Sequence, residues 1–169
     1  MEIRGYVGGD GHEFLILAGQ PRTLDFVRNT NTDTTIRAMK DWVQRFHDDL
    51  AEYADWSLED FFDLVKNLPY EMEKKEWGKQ IIMRPKDILS RLLPVVACAN
   101  KAILISSFLT MQGIQNGFVV SANSAQENFG HVFNWVKFPN SGTIAFVDAT
   151  YPENVIFREK QYAKRKVYP

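Results

Sequence analysis

Cys98, His131 and Asp148 are the residues whose types and order in this chain could do covalent chemistry. Cys98, the single cysteine, heads the run Cys98-Ala99-Asn100-Lys101-Ala102-Ile103, which reads as the start of a buried helix. The partial positive charge of a helix N-terminus favours a thiolate, the nucleophilic form of cysteine. His131 opens a strand-like segment and could pair with that thiolate, then give a proton to a leaving group. Asp148 closes the next strand, where a carboxylate could fix the imidazole tautomer. The bland reading of a lone cysteine on an apolar stretch is a small buried hydrophobe. His131 taken alone is an ordinary strand residue. The three in this order favour a triad.

The elements that must position them are legible from turns and periodicity. Pro139-Asn140-Ser141-Gly142 is a strong turn between strands expected at His131–Phe138 and Thr143–Ala149. A hairpin centred there sets position 131 opposite about position 150, which makes His131 and Asp148 neighbours across the ladder. Cys98 to Gln112 reads as one buried helix, apolar at Ala102, Ile103, Ile105, Leu109 and Met111, stopped by Gly113. A strand follows at Ile114–Ser121. Upstream, Ile36, Met39, Lys40, Val43, Phe46 and Leu50 recur at helical steps from about Thr34 to Tyr53. Ser57 with Asp60 resembles a capping box, opening a helix with Leu58, Phe61, Phe62, Leu64 and Val65 inside and Pro69 as its stop. Lys79–Arg84 reads as extended, and Pro85 starts a short helix reaching about Leu93.

With 169 residues, 45% hydrophobic and 24% charged, the chain has the composition of one soluble globular domain. Residues 1–33 are expected to form a turn-rich N-terminal arm with one short strand near Glu13–Ala18. The run Gly5-Tyr6-Val7-Gly8-Gly9-Asp10-Gly11 lacks the Lys-Ser/Thr ending of a phosphate loop. Residues 34–157 are expected to hold the catalytic domain, and 158–169 a basic C-terminal tail. In that tail Arg158, Lys160, Lys164, Arg165 and Lys166 are opposed only by Glu159. It reads as a solvated arm or as a docking arm for an acidic partner or phosphate backbone. The net charge of −1 supplies no global field, so nucleic acid is not an expected partner. No run reaches the roughly 18 apolar residues of a membrane span. Met1-Glu2-Ile3-Arg4-Gly5 does not begin a secretory signal, so a cytoplasmic or intracellular location, or a place in a larger particle, is expected. One cysteine excludes an intrachain disulfide and a multi-cysteine metal site. No metal or cofactor is expected, and His12 and His47 read as solvated.

Three segments carry a family resemblance. Cys98 through Gly113-Ile114 resembles the nucleophile helix of the transglutaminase-like superfamily. Gly130-His131-Val132-Phe133-Asn134-Trp135-Val136 resembles its histidine strand, and Phe146-Val147-Asp148-Ala149-Thr150-Tyr151-Pro152 the segment that ends its core. Arg84-Pro85-Lys86-Asp87-Ile88-Leu89 is similar to the helix that precedes the cysteine, and the likeness runs from roughly Leu64 to Pro152. Two positions depart from the pattern: Val96-Ala97 stands where members often have Gly-Asp, and Asp148-Ala149-Thr150 replaces Asp-Pro-Thr.

The resemblance implies an α+β, papain-like fold in which N-terminal helices pack on a small antiparallel sheet, with Cys98 in the cleft between them. It implies a Cys98–His131–Asp148 triad and an oxyanion site. The backbone N–H of Cys98 would be one donor there, and Gln80 or Trp77 the other, with Asn100 a further candidate. The first expectation is a cysteine peptidase or amidase acting on a protein or peptide through a thioester. The alternatives are a cross-linking transglutaminase, which passes the thioester to an amine, and a weak or inactive module of the same fold. Such a module would serve a larger assembly contacted by the N-terminal arm and the basic tail.

Overall fold

The computed structural model describes residues 3–7, 13–17, 23–28, 32–70, 79–91, 96–125, 129–158 and 161–169. The fold is α+β, with two four-stranded antiparallel sheets in place of the single one expected. In the first, β1 (Ile3–Val7), β2 (Glu13–Leu17) and β3 (Thr23–Arg28) form a meander, and β4 (Lys79–Ile82) pairs with β3. In the second, β5 (Asn116–Ala122) pairs with β6 (His131–Lys137) on one side and with β8 (Lys164–Tyr168) on the other. β7 (Ile144–Val147) lies along the far side of β6.

The helices come between. α1 (Thr32–Phe46) buries Ile36, Ala38, Met39, Trp42 and Val43. Lys40 is exposed, and Trp42 takes the place the sequence pattern assigned to it. The chain then tightens into a 3-10 segment, His47–Tyr53, where a continued helix was expected. Asp49 of that segment accepts from the Arg84 guanidinium at 2.8 and 2.6 Å and from the Lys86 N–H at 3.2 Å. A bidentate ion pair and a bond to a helix's first-turn amide thus fasten the 3-10 segment to α3 (Pro85–Leu89). α3 is shorter than expected because Arg91 adopts a left-handed φ of 53°. α2 (Leu58–Lys66) is capped as its sequence foretells, with Ser57 Oγ accepting from the Asp60 N–H at 3.1 Å. The ring of Phe61 on α2 stacks on Phe108, centroids 4.5 Å apart.

α4 (Cys98–Met111) is the axis of the molecule, with every residue from Ala99 to Leu109 buried. Gly113 ends it at φ 73°, a conformation glycine adopts without a Cβ penalty. On this helix, buried all round, three polar side chains find partners on neighbouring elements. Asn100 Oδ1 accepts from the Met83 N–H beside β4, and Ser106 donates to Asn116 at the start of β5. Lys101 is 1% exposed, and its ammonium donates to the carbonyls of Lys66 (3.2 Å), Leu68 (2.7 Å) and Thr150 (2.7 Å). Burial pulls its pKa down to about 8 against the attraction of Asp148 and Glu153. One side chain therefore ties the end of α2 and the segment after β7 to the central helix.

Both expected arms belong to sheets. The glycines that made residues 1–33 look turn-rich fall partly between strands whose own residues alternate in β-favouring types, as in Thr23-Leu24-Asp25-Phe26-Val27. Within the tail, β8 is an edge strand, where a run of charges is tolerated and masks its strand character in the sequence. Tyr168 donates to Asp33 at 2.6 Å, and its carbonyl accepts from the Trp135 indole at 2.6 Å. Lys160 lies outside the described residues. Among those described, no helix is long and apolar enough to cross a membrane.

Two substitutions test these ties. Lys101→Met keeps an apolar stem but strands three carbonyls, and is expected to lower unfolding free energy by roughly 3 kcal/mol. A urea melt would register this as a lower midpoint at unchanged slope. A Cβ on Gly117 would collide with the Tyr168 carbonyl and the Trp135 indole. Gly117→Ala should therefore detach β8, giving fast amide exchange over 164–168 while β6 stays protected.

Candidate active site

The β6–β7 register pairs Asn134 with Val147 and Lys137 with Ile144, as the turn at Pro139–Gly142 predicts. Gly142 closes that turn at φ 70°, and its N–H bonds to the Phe138 carbonyl at 2.8 Å. Alternation along β6 sends Val132 and Val136 into the core around α4 and Phe133 and Trp135 to the opposite face. His131 shares the second face. Asp148, one residue past β7, meets it: His131 Nε2 and Asp148 Oδ2 are 2.7 Å apart.

Cys98 reaches the same imidazole. Asn134 donates to the Ala102 carbonyl at 3.0 Å, which lays β6 along α4. One helical turn back is Cys98, and His131 lies back along the strand. His131 is hydrogen-bonded to Asp148, and Cys98 is near enough to raise the pKa of its imidazole. Since Nε2 faces the carboxylate, Nδ1 is the nitrogen left for the sulfur. Cys98 is partly exposed. Ala97, the N-cap of α4, makes no side-chain cap, so Val96-Ala97 supplies no group that would compete for the first-turn N–H groups beside Cys98.

The electrostatics follow from burial and pairing. Burial pulls the His131 pKa down, but the bond to Asp148, the nearby Cys98 and the attraction of their charges outweigh it and carry the value up to about 10. Burial raises Asp148, yet the bond and charge of His131, with hydrogen bonding from Thr150, hold its carboxyl below the usual carboxylate range. The imidazolium thus stays protonated at neutral pH. Comparison of the chain with known proteins gave no match to a family model, a curated protein or a solved structure.

The carboxylate is itself fixed from behind. Asp148 Oδ1 accepts from the Thr150 N–H at 3.1 Å, and its carbonyl accepts from the Asn154 amide at 3.1 Å. Thr150 is bonded in turn to Lys101, and the Asn154 carbonyl to Lys66. Near-parallel rings of Tyr151 and Tyr162 flank His131, with centroids 6.2 and 5.9 Å away. A cavity of about 300 Å³ opens beside His131 and Asp148, lined in part by these two tyrosines and Ser121.

The other candidates separate. Asn100 is fully buried and holds the end of β4, so its amide does not line the cleft. Trp77 lies outside the described residues, and Gln80 is placed by its backbone in β4 opposite Val27. His47 Nδ1 bonds to the Val43 carbonyl of its own helix at 3.0 Å, and His12 is outside the described residues. No group of three metal-binding side chains occurs among the described residues. Sequence reading missed Lys101, Thr150 and Asn154. Of these, Lys101 alone left a signal, a charge in an otherwise apolar helix.

By linkage, a His131 pKa raised on folding makes its contribution to stability complete below the ordinary value of 6.5 and lost as pH climbs through about 10. The lowered Asp148 carboxyl contributes above its ordinary 3.8 and loses that share as pH falls. Imidazole NMR of the wild type should accordingly show His131 as imidazolium from about pH 5 to about pH 8. Asp148→Asn removes the main opposition to burial and should bring the His131 titration into that window. A wild-type midpoint near 6.5 would contradict the pairing.

Proposed function

We propose that the chain is a cysteine peptidase or amidase that works through Cys98, His131 and Asp148. One arrangement supports this reading: an imidazole bonded to a carboxylate and raised in pKa by the neighbouring cysteine that opens a buried, uncapped helix. Each group has a role that its surroundings favour. The Cys98 sulfur attacks the amide carbonyl carbon, and the first-turn N–H groups of α4 face the developing oxyanion. Collapse breaks the C–N bond, and the nitrogen takes the imidazolium proton and departs as a neutral amine. Water then adds to the thioester while the neutral imidazole accepts its proton. The acid leaves, and thiolate and imidazolium are restored.

Asp148 orients the ring and stabilises its charged form without taking the proton. To this reading we attach the finer fold assignment, a papain-like core of the transglutaminase-like kind. It rests on the order of a helix-borne cysteine, a strand-borne histidine and an aspartate just past the neighbouring strand. Hydrolysis is placed before transfer to an amine as the default for small members of the superfamily the chain resembles, and a protein or peptide is the substrate class.

The test is thiol reactivity. Iodoacetamide should alkylate Cys98 at a pH of about 6 on the order of tenfold faster than free cysteine. His131→Ala should remove that excess while circular dichroism shows the fold retained. Alkylation no faster than free cysteine, together with full biological function in Cys98→Ala, would sink the enzyme and leave the inactive module.

A further inference from the structure

We infer that the cavity beside His131 and Asp148 receives the leaving side of the scissile amide and selects a leaving amine that carries a carboxylate, which pairs with Arg158. The inference rests on the amide-scission reading and adds a substrate class to it. The placement follows from the chemistry of the step. The acyl carbon becomes bonded to sulfur, whereas the departing nitrogen must collect its proton from the imidazole. A group on the acyl side extends past Cys98, and a group on the amine side extends past His131. The cavity is lined by His131 and Asp148, and Cys98 is not part of its wall.

The wall also reports what it would hold. Tyr70, Tyr151 and Tyr162 give it aromatic faces, with the Tyr70 and Tyr151 rings 5.1 Å apart. Arg158 is its cationic residue, and Asp148 its acidic one. Both Asp148 oxygens are occupied, one by His131 and one by the Thr150 N–H, and its charge is met by the imidazolium. Among the described residues the arginine charge is therefore the one left to a ligand, and guanidinium suits a carboxylate in bidentate geometry. Ser121, opposite His131 in the ladder, forms part of the wall, and its buried hydroxyl has no partner among the described residues. A polar atom of the ligand seated there would satisfy it. A volume of about 300 Å³ is at the small end for ligand sites and suits one residue or a short terminal stub.

The carboxylate could be the free terminus of a substrate cut near its end, or an acidic side chain just after the cut. Three small amines separate these sources: L-phenylalanine, L-phenylalaninamide and the α-amide of L-glutamic acid. Each is titrated into the full-length Cys98→Ala variant, which cannot turn over, with the Gly130 amide and His131 imidazole signals followed by NMR. At least one carboxylate-bearing amine is expected to bind about tenfold more tightly than phenylalaninamide. Arg158→Gln, a change at an exposed residue, should erase that margin. Tighter binding by phenylalanine assigns the terminal carboxylate, and by the glutamic α-amide the side chain. Equal affinities, no saturable shift with any of the three, or a margin that survives Arg158→Gln would each overturn the assignment. Because none of these readings needs turnover, the amide-scission reading stands or falls separately on Cys98 alkylation.

Discussion

A charged amine one turn into an apolar helix sets the terms on which this protein folds. Lys101 cannot enter the core unless its ammonium is matched, and three carbonyls from two distant segments converge on it. Those carbonyls lie where α2 ends and where the chain leaves β7, beyond the regular bonding of either element. They need a donor as much as the lysine needs acceptors. Neither side of the contact can be buried alone, so α2, α4 and the strand end are docked together. Asn100 and Ser106 extend the same logic to β4 and β5.

The geometry of the three candidate groups descends from that docking. Cys98 lies one turn before Lys101 on the helix, and Asp148 lies just before Thr150, whose carbonyl Lys101 holds. The contact that makes the core possible thus also sets the spacing between nucleophile helix and carboxylate. His131 needs no such tie, because the β6–β7 turn delivers it to Asp148 by register.

That difference explains how much was legible beforehand. The hairpin partnership of His131 and Asp148 follows from four turn residues, and the helix of Cys98 from a run ending at Gly113, so local chemistry carried both. The Ser57 cap was equally local. Asp49 closing on Arg84, Lys101 on Thr150 and Tyr168 on Asp33 join residues far apart in the chain, and no periodicity encodes such pairs. The strands of residues 1–33 and 164–168 were obscured for another reason. Glycines in one and charges in the other are compatible with edge and meander strands but equally with open coil.

Tyr162, which flanks His131, precedes β8, and β8 is held in place by pairing with β5 and by the bonds of Tyr168 to Asp33 and Trp135. A chain emerging from a ribosome would therefore present cysteine, histidine and aspartate before Tyr162 closed its side of the cavity beside them. Until β8 is made and seated, the nascent domain could hold its nucleophile with that side of the cavity open. The seating of β8 would itself be the moment at which the cavity takes its final shape.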